Sequence, residues 1–308
     1  MQTRRIGSLE VTLIGLGTNN FGLGMAAEAV PPVVDAAIEQ GINFFDTSDS
    51  YGDSEERLGR ALGGRREQVL LATKFGSRVR GQEGTGGAKP EYVRRAVDAS
   101  LQRLGTDRID LYQIHRPDAE TPIADTLGAL AELVEAGKVR EIGCSNFSAK
   151  QLREAYDASG GGPRLASVQN HYNLLNRADE AEVIPTCEEL GIAYLPYFPL
   201  ASGLLTGKYK RGEKPAEGTR MQLWGDRASG VLTDQAFDRV EALTTWAADH
   251  GHSLLDLAIA WLAANPTVAS VIAGATKVDQ VVANAAGAGW TLTPSEASEV
   301  DLIARDPI

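Results

Sequence analysis

Eight short apolar segments recur along this chain, each followed by a polar loop and a stretch with helical spacing. They are rich in Val, Ile and Leu and lack polar alternation, which is typical of parallel strands buried on both faces. Eight strand–helix repeats predict an α/β protein with a closed (β/α)8 TIM barrel, in a single domain over residues 1–308. A doubly wound open sheet is the competing architecture, because periodicity does not reveal closure. The predicted strands are Leu13–Leu16, Ile42–Phe45, Val69–Ala72, Ile109–Ile114, Val139–Gly143, Ala166–Val168, Ala193–Leu195 and Val268–Ile272.

Three further segments are predicted around the barrel. Arg4–Ile6 and Leu9–Thr12, joined by a Gly-Ser turn, have the pattern of a β-hairpin that precedes the first barrel strand. An apolar face around Leu257 predicts an extra helix before the last strand. The stretch Ala201–Gly230 is rich in Gly, Pro, Lys and Arg and is predicted to be a long irregular loop, a candidate lid over the substrate.

The composition disfavours several classes of function. Thirty basic and 41 acidic residues give a formal net charge of −11, which disfavours nucleic acid and anionic membranes as partners. No apolar run approaches the ~20 residues of a membrane span. The first ten residues carry charges without an apolar core, so we expect no signal peptide and a cytoplasmic protein. Two cysteines and four histidines without ligand spacing predict neither a disulfide framework nor a metal site. Oligomeric state cannot be inferred, because helix faces that pack on a barrel resemble those that pair subunits.

Polar side chains follow the apolar segments, at the strand ends where TIM barrels carry their active sites. Asp46, with Tyr51 in its loop, Lys74 and His115 follow the second, third and fourth segments. Each alone has an ordinary explanation: a turn or helix cap for the aspartate, a snorkelling lysine, a hydrogen-bonded structural histidine. Together they predict an acid, a phenol, an amine and an imidazole in one pocket. The later segments are followed by Ser145 and Asn146, by Gln169, by Tyr197 and by Gly274–Lys277.

These side chains lie in segments that resemble the signature blocks of the aldo-keto reductases. The order Asp, Tyr, Lys, His and then Ser-Asn-Phe is specific as a set, and the resemblance runs from Gly15 to Trp290. The later blocks are similar to the bacterial and potassium-channel-β-like branches. The resemblance implies a (β/α)8 barrel that binds NADPH, with NADH as the alternative, and reduces a small carbonyl substrate. The blocks are Asp46–Gly52, Ala72–Lys74, Leu111–His115, Gly143–Phe147, Gly203–Tyr209 and Ile272–Asn284.

The four candidate catalytic residues suit hydride transfer to a carbonyl, whose oxygen then needs a proton or hydrogen bonds. Tyr51 is the predicted general acid, with its pKa lowered from about 10 by a cationic Lys74. Asp46 is predicted to keep that lysine charged and positioned. His115 is predicted to donate a hydrogen bond to the carbonyl oxygen and to orient the substrate.

The predicted nicotinamide and pyrophosphate contacts come from three strand ends. Ser145, Asn146 and Gln169 offer donors and acceptors for the carboxamide, and by resemblance Tyr197 stacks on the ring. The alternative for Ser145 and Asn146 is to cap the following helix. Phe198 stands where many relatives have serine, so the pyrophosphate is expected to be held mainly by backbone groups. The residues expected there are Phe198, Leu200, Ser202 and Gly203, with Lys208 as a nearby charge, and Gly17, Thr18 and Asn19 where the backbone approaches the cofactor.

The loop after the last strand predicts the adenosine end of the site. Gly274 to Lys277 lead into a helix N-terminus, which favours an anion. Thr276 and Lys277 are predicted to contact the 2′-phosphate of NADPH, with Gln280 and Asn284 near the phosphate or adenine. Because lysine is a point charge where many relatives carry arginine, the predicted preference for NADPH is moderate. The alternative for Lys277 is a solvated helix start.

Two other functions fit parts of the pattern. A cofactor-holding regulatory subunit, as in channel β-subunits, would present an exposed apolar docking face. A Schiff-base aldolase would use Lys74 as its nucleophile and would need no nicotinamide. In such an aldolase the Ser145-Asn146 pair and the last loop would have no clear purpose.

Overall fold

Eight parallel strands close into a barrel in the computed structural model of the chain, which describes residues 1–79 and 81–305. Barrel strands are paired in chain order, and the last strand pairs with the first, so the closed barrel is confirmed and the open sheet is wrong. The strands are β1 Thr3–Ile6 and β2 Leu9–Thr12 in a separate hairpin, then β3 Ile14–Gly17, β4 Phe44–Asp46, β5 Leu70–Phe75, β6 Ile109–Ile114, β7 Val139–Ser145, β8 Leu165–His171, β9 Ala193–Tyr197 and β10 Val271–Gly274 in the barrel.

Helices surround the barrel, and their starts follow local capping chemistry. Ser148 and Gln151 form a reciprocal capping box at the start of α6, which satisfies backbone N–H groups that a helix start leaves free. The helices are α1 Asn19–Leu23, α2 Val30–Glu39, α3 Ser54–Leu62, α4 Pro90–Leu104, α5 Ile123–Glu135, α6 Ala149–Ala158, α7 Val183–Leu190, α8 Arg220–Trp224, α9 Asp234–Asp249, α10 Leu254–Ala264, α11 Val278–Gly287 and α12 Pro294–Arg305. The extra helix predicted before the last strand is α10. No helix of the described ranges has the length and hydropathy to cross a bilayer.

The predicted hairpin is confirmed, and it seals the N-terminal end of the barrel. β1 pairs antiparallel with β2, and its Gly7 adopts a φ of +55° in the turn. Ile6, Leu9 and Val11 are fully buried, in one apolar cluster with strand residues such as Leu111. Because this end is filled with apolar side chains, the polar groups that could perform chemistry lie at the opposite, C-terminal ends of the strands.

Seven of the eight barrel strands continue one to three residues past the apolar segment that predicted them. Lys74 pairs in register with Gln113, and Ser145 with Gln169, within the barrel ladder. Backbone pairing does not require apolar side chains, so the strands extend into the polar layer. Lys74, Ser145 and Gln169 are therefore fixed by the sheet itself, whereas Tyr51 and His115 lie beyond the ends of β4 and β6.

The prediction of an irregular stretch over Ala201–Gly230 is wrong in part. It contains α8 and two 3-10 segments, Ala201–Thr206 and Gly225–Gly230. Leu204 and Met221 are buried in the main core, which anchors the segment. The sequence did not predict these elements, because five or six residues are too few to show a helical period. The charged and glycine-rich residues around them favoured a loop.

A close approach of α3 and α4 yields a test of the helix layer. A Cβ on Gly59 would overlap the backbone carbonyl of Leu104, whereas a Cβ on Gly128 in α5 would meet open space. We expect Gly59→Ala to lower the free energy of unfolding by about 1–3 kcal/mol through overpacking. Gly128→Ala should raise it by about 0.5–1 kcal/mol, because alanine favours helix. Urea unfolding of both variants measures this, and equal stability would contradict the close packing.

Candidate active site

A buried ion pair lies at the C-terminal end of the barrel. Lys74 Nζ, on β5, is 2.5 Å from Asp46 Oδ2 at the end of β4, with side-chain exposures of 1% and 4%. Lys74 also donates to the carbonyl of Thr47 at 2.9 Å. Burial opposes the lysine charge, but Asp46 and Tyr51 outweigh burial, so the pKa of Lys74 lies above its usual value. Lys74 is thus a fixed cation, which disfavours a Schiff-base role that needs the neutral amine.

Two buried amides hold the other oxygen of Asp46. Gln113 on β6 and Gln169 on β8 each donate from Nε2 to Asp46 Oδ1, at 3.1 and 2.9 Å. The carboxylate therefore links four strands through its hydrogen bonds. Because the Nε2 group of Gln169 already binds Asp46, the carbonyl of that side chain is the part left for a carboxamide.

Tyr51 lies beside this ion pair. Lys74 Nζ is 5.2 Å from the centre of the Tyr51 ring, and that ring is edge-on to His115 with 5.7 Å between centres. Burial raises the pKa of Tyr51 above its usual value, and Lys74 offsets only part of this effect. Lys74 thus acts in the predicted direction, but the expected net lowering of the Tyr51 pKa is wrong, because burial prevails. The phenol is protonated at neutral pH, which is the form that a proton donor requires.

Close backbone contacts position the Tyr51 loop. A Cβ on Gly22 in α1 would overlap the carbonyl of Tyr51, and Gly52, at a φ of +61°, faces the carbonyl of Gly22. Arg57 in α3 donates to the carbonyls of Phe21 and Met25 at 2.7 and 2.6 Å. These contacts join α1, α3 and the loop, and the Tyr51 backbone adds hydrogen bonds to Ser48 and Ser54, each at 3.2 Å. The loop that carries the phenol is therefore held on both sides.

His115, the fourth candidate catalytic residue, is a neutral ring. Its Nδ1 is 3.0 Å from Ser48 Oγ and 3.3 Å from Ser50 Oγ. Burial, with the positive charges of Lys74 and Arg116, lowers the pKa of His115 to about 3. The imidazole is thus a hydrogen-bonding group and not an acid at neutral pH. The four predicted catalytic residues do converge on one end of the barrel.

The candidate nicotinamide residues also come together. The Tyr197 hydroxyl donates to Asn146 Oδ1 at 2.9 Å, and Asn146 Nδ2 donates to the carbonyl of His115 at 3.0 Å. Ser145 Oγ donates to the carbonyl of Gln169 at 2.7 Å. Helix α6 is capped by Ser148, so the alternative that Ser145 and Asn146 cap it is wrong. Ser145 and Asn146 bind across strand ends.

Left-handed backbone marks the rim of this cleft. Within residues 1–79 and 81–305, the non-glycine residues with positive φ are Asn146, Phe198, Ala201 and Ser202, at φ values of +63°, +52°, +46° and +58°. All four lie in the loops after β7 and β9. Such conformations cost about 1–2 kcal/mol each, and turns of this kind aim successive N–H groups into a concavity that suits anions. The strain therefore fits the predicted pyrophosphate position.

Two cations border the strained turn. The Lys208 side chain runs so close to Gly203 that a Cβ there would overlap it. Arg220, at the start of α8, donates to Asn20 Oδ1 at 2.9 Å and to Asn19 Oδ1 at 3.5 Å, and its guanidinium lies 5.3 Å from the centre of the Phe198 ring. Burial lowers the pKa of Arg220. No salt bridge joins Arg220 to a carboxylate of the described residues, so the guanidinium is available to an anion.

Sequence reasoning missed Arg220. It stands in a segment with several other charges and no periodicity, so nothing in the pattern separates it from a solvated arginine. Its partial burial on the Phe198 ring, a tertiary contact between distant parts of the chain, is what distinguishes it.

Some of the remaining cofactor candidates can still contact a ligand, whereas others already make hydrogen bonds within the protein. Gly17 and Gly274 pair in register at the rim, where neither has a side chain to block a ligand. Thr18 is fully buried, and its N–H and hydroxyl both bind the carbonyl of Asp46, so Thr18 fastens β3 to the catalytic strand. Lys277 is exposed just before α11, and Asn284 is 3% exposed.

Gln280 has a local partner at the same helix start. Its Oε1 accepts from the backbone N–H of Thr276 at 2.8 Å. The side chain thus secures the turn that leads into α11, and its Nε2 group is the part left for a ligand. Within the described residues, no cluster of three or more His, Cys, Asp and Glu could hold a metal ion.

The chain is similar to proteins of one family over most of its length. The model of the "Aldo/keto reductase family" matches residues 13–305. A probable voltage-gated potassium channel subunit beta of Oryza sativa subsp. japonica is 34% identical, over 92% of this chain and 90% of that protein. An aldo-keto reductase of Strobilurus tenacellus is 34% identical, over 99% and 93%. Protein tas of Escherichia coli (strain K12) is 34% identical, over 98% and 97%.

The buried ion pair predicts a characteristic pattern of stability. Asp46→Asn should lower the free energy of unfolding by about 3–5 kcal/mol, because Lys74 loses its counter-charge while it stays buried. The double variant Asp46→Asn/Lys74→Met should regain most of that loss, since both charges are gone. Urea unfolding at neutral pH of the single and double variants measures the coupling. A double variant no more stable than Asp46→Asn would contradict it.

Proposed function

The chain belongs to the aldo/keto reductase family, an oxidoreductase family that uses NAD(P)H, and from that premise we propose that it reduces small aldehydes and ketones with NADPH as its preferred cofactor and Tyr51 as the proton donor. The observation that carries the proposal is that a fixed Lys74 cation, a protonated phenol and a neutral imidazole lie together at one end of the barrel. The centre of the Tyr51 ring is 5.2 Å from Lys74 Nζ and 5.7 Å from the centre of the His115 ring.

Each residue has one task in the proposed reaction. The bound cofactor supplies a hydride to the carbonyl carbon. His115 donates a hydrogen bond from the ring nitrogen not facing Ser48 and so places the carbonyl oxygen. Tyr51 gives its proton to that oxygen as negative charge develops there. Lys74 stabilises the phenolate that results, and Asp46 holds the lysine in place.

The cleft offers matching groups for each part of the cofactor. The side-chain carbonyl of Gln169, with Ser145 and Asn146, suits the carboxamide, and the Tyr197 ring suits stacking. For the pyrophosphate we assign the left-handed turn of Phe198, Leu200, Ser202 and Gly203, with Lys208 and Arg220 as charges. The N–H of Gly203 already donates to the carbonyl of Leu200 at 2.7 Å, so Gly203 would allow close approach of the backbone and would not act as a donor. For the adenosine end we assign Thr276, Lys277, Gln280 and Asn284, with Gly17, Asn19 and Gly274 at the rim.

A cofactor-holding regulatory subunit is the second candidate, since two relatives are named as probable potassium channel subunits beta. Such a subunit needs an apolar docking face. The exposed large apolar side chains of the described residues are spread over the N-terminus and four helices, at Met1, Leu23, Leu223, Val278, Val282 and Leu302. That spread favours the enzyme, and we take carbonyl reduction as the principal function.

Removing the phenol hydroxyl tests the proton donor. We expect Tyr51→Phe to lower kcat for an activated aromatic aldehyde by about 100-fold or more, because general acid catalysis contributes that much. Binding of NADPH, followed by quenching of tryptophan fluorescence, should change little. Tyr156→Phe is the control and should keep full turnover, because the Tyr156 hydroxyl in α6 accepts a hydrogen bond from Arg164 at 2.8 Å and bonds no residue of the site. Near-normal turnover in Tyr51→Phe would refute the assignment.

Two cation variants separate the parts of the cofactor site. Lys277→Ala should weaken NADPH binding about tenfold and leave NADH binding unchanged, since only NADPH carries the 2′-phosphate. Arg220→Gln should weaken both cofactors to the same extent, because both contain the pyrophosphate. Fluorescence titration of each variant with each cofactor provides the four values. Equal weakening of both cofactors by Lys277→Ala would refute the 2′-phosphate role.

A further inference from the structure

Behind His115, a row of hydroxyl and carboxyl groups leads away from the substrate side. Ser48 Oγ is 3.0 Å from His115 Nδ1 and 3.2 Å from Asp49 Oδ1. The Tyr92 hydroxyl, on α4, donates to Asp49 Oδ2 at 3.4 Å. Ser48 is fully buried, and Asp49 is 5% exposed. The proposed reaction assigns no task to these groups, although they are in direct contact with a catalytic ring.

Ser48 has one proton and three neighbours that can accept it: Asp49 Oδ1, His115 Nδ1 and Ser50 Oγ, which is 3.0 Å from Ser48 Oγ. Ser50 is only partly buried, so its hydroxyl can also bind water, and Asp49 and His115 compete for the Ser48 proton. The Ser48 oxygen also accepts the backbone N–H of Ser50 at 3.2 Å, which leaves one more hydrogen bond to accept and one to donate. An ionised Asp49 can only accept, so Ser48 donates to Asp49 and accepts from a protonated Nδ1 of His115. A protonated Asp49 donates to Ser48, which then donates to a bare Nδ1. Both arrangements satisfy every group, and they leave the ring proton on opposite nitrogens.

We propose that Asp49, acting through the Ser48 hydroxyl, decides which ring nitrogen of His115 carries the proton. Resting on the proposed carbonyl reduction, the inference makes Asp49 a positioning residue that never touches the substrate. A carbonyl oxygen offers only lone pairs, so it needs Nε2 of His115 as a donor. That tautomer occurs when Asp49 is protonated. When Asp49 ionises, Nε2 becomes an acceptor and loses its hydrogen bond to the carbonyl.

The surroundings of Asp49 bring its ionisation close to neutral pH. Burial and the negative charge of Glu55 in α3 raise the pKa of Asp49 to about 7, against hydrogen bonds from Ser48 and Tyr92 and the charge of Arg103. Arg103 and Thr73 both hold the Glu55 carboxylate, at 2.6 and 2.5 Å. Tyr112 from β6 faces the same pocket, and its buried hydroxyl has no partner among the described residues.

His115 itself stays neutral through this change. The charged and titratable groups that face it are Lys74, Arg116 and Tyr51. Its pKa of about 3 lies well below that of Asp49, and the raised pKa of Tyr51 lies far above neutral pH. Between about pH 5 and pH 9 the groups of this row therefore change in one respect, the proton on Asp49. The sign follows: reduction is favoured below the pKa of Asp49 and is weakened above it.

A set of variants tests this through the pH dependence of kcat/KM for reduction of the aromatic aldehyde. In the native protein, kcat/KM should fall about threefold to tenfold as the pH rises through about 7, which is the worth of one hydrogen bond. Ser48→Ala should lack this step, because Asp49 no longer reaches the ring. Ser50→Ala is the matched control: Ser50 Oγ is 3.3 Å from the same Nδ1 and 3.0 Å from Ser48 Oγ, but it makes no hydrogen bond to Asp49. Its loss leaves the path from Asp49 through Ser48 to the ring intact, so the step should persist.

A third variant separates titration from structural support. Tyr92→Phe removes a donor to the ionised Asp49, so the midpoint of the step should move to higher pH with the step itself retained. A merely structural role for Asp49 predicts no shift of a midpoint. A step unchanged in Ser48→Ala, or an unshifted midpoint in Tyr92→Phe, would overturn the proposal.

The tautomer can also be observed without turnover. Nitrogen NMR of the protein with ¹⁵N-labelled histidine distinguishes the two neutral tautomers, and the His115→Asn variant identifies the signals of His115. We expect the signals to exchange roles between about pH 5.5 and pH 8.5 in the native protein and not in Ser48→Ala. Aldehyde reduction with one unchanging tautomer would refute the relay and leave the proposed function standing. A switching tautomer without reduction of any aldehyde would refute the proposed function instead.

Discussion

The buried ion pair of Lys74 and Asp46 is the constraint on which the rest of the site depends. Removing two such charges from water costs several kcal/mol for each ion, which only a saturated set of hydrogen bonds can offset. Here the 2.5 Å contact, two amide donors and a backbone carbonyl provide that set. Since Gln113 and Gln169 come from other strands, the pair also fixes how the strands meet at the catalytic end. Catalytic geometry and barrel closure are therefore coupled through one carboxylate.

Burial and one cation together set the protonation of two neighbouring rings. The Lys74 charge lowers the pKa of both groups, but at Tyr51 burial outweighs it and the phenol keeps its proton, whereas at His115 burial acts in the same direction and the imidazole stays neutral. The proposed division of labour between a proton donor and a neutral hydrogen-bonding ring thus follows from burial, which favours the uncharged form of both groups. Because the His115 ring is neutral, it has one proton that either ring nitrogen can carry. In our proposal Asp49, acting through Ser48, selects the nitrogen.

The sequence predicted the strands better than their ends, for a physical reason. A run of apolar residues shows where side chains are buried, whereas a strand is defined by backbone hydrogen bonds. Those bonds continue through Lys74 and Gln169 into the polar layer. The convergence of the four candidate catalytic residues was predictable because they lie at the ends of three neighbouring strands, with Asp46 and Tyr51 sharing one of them. The net pKa of Tyr51 was not, because it is the balance of burial against charge. Arg220 and Asp49 were missed because their significance lies in tertiary contacts, with the Phe198 ring and with Tyr92.

The strained turn after β9 shows why its residues are not all glycine. Glycine would remove the cost of positive φ, but it would also remove the contacts of the Phe198 ring. The Arg220 guanidinium lies over that ring, and the rings of His171 and Tyr197 pack on it in T-shaped geometry, with 5.6 and 5.2 Å between ring centres. Ala201 is likewise buried against the core. The side chains therefore fix a turn that a glycine-rich chain would leave to fluctuate. A binding loop ordered in advance loses less conformational entropy when its ligand arrives, so the backbone strain is consistent with the pyrophosphate site that we propose for this turn.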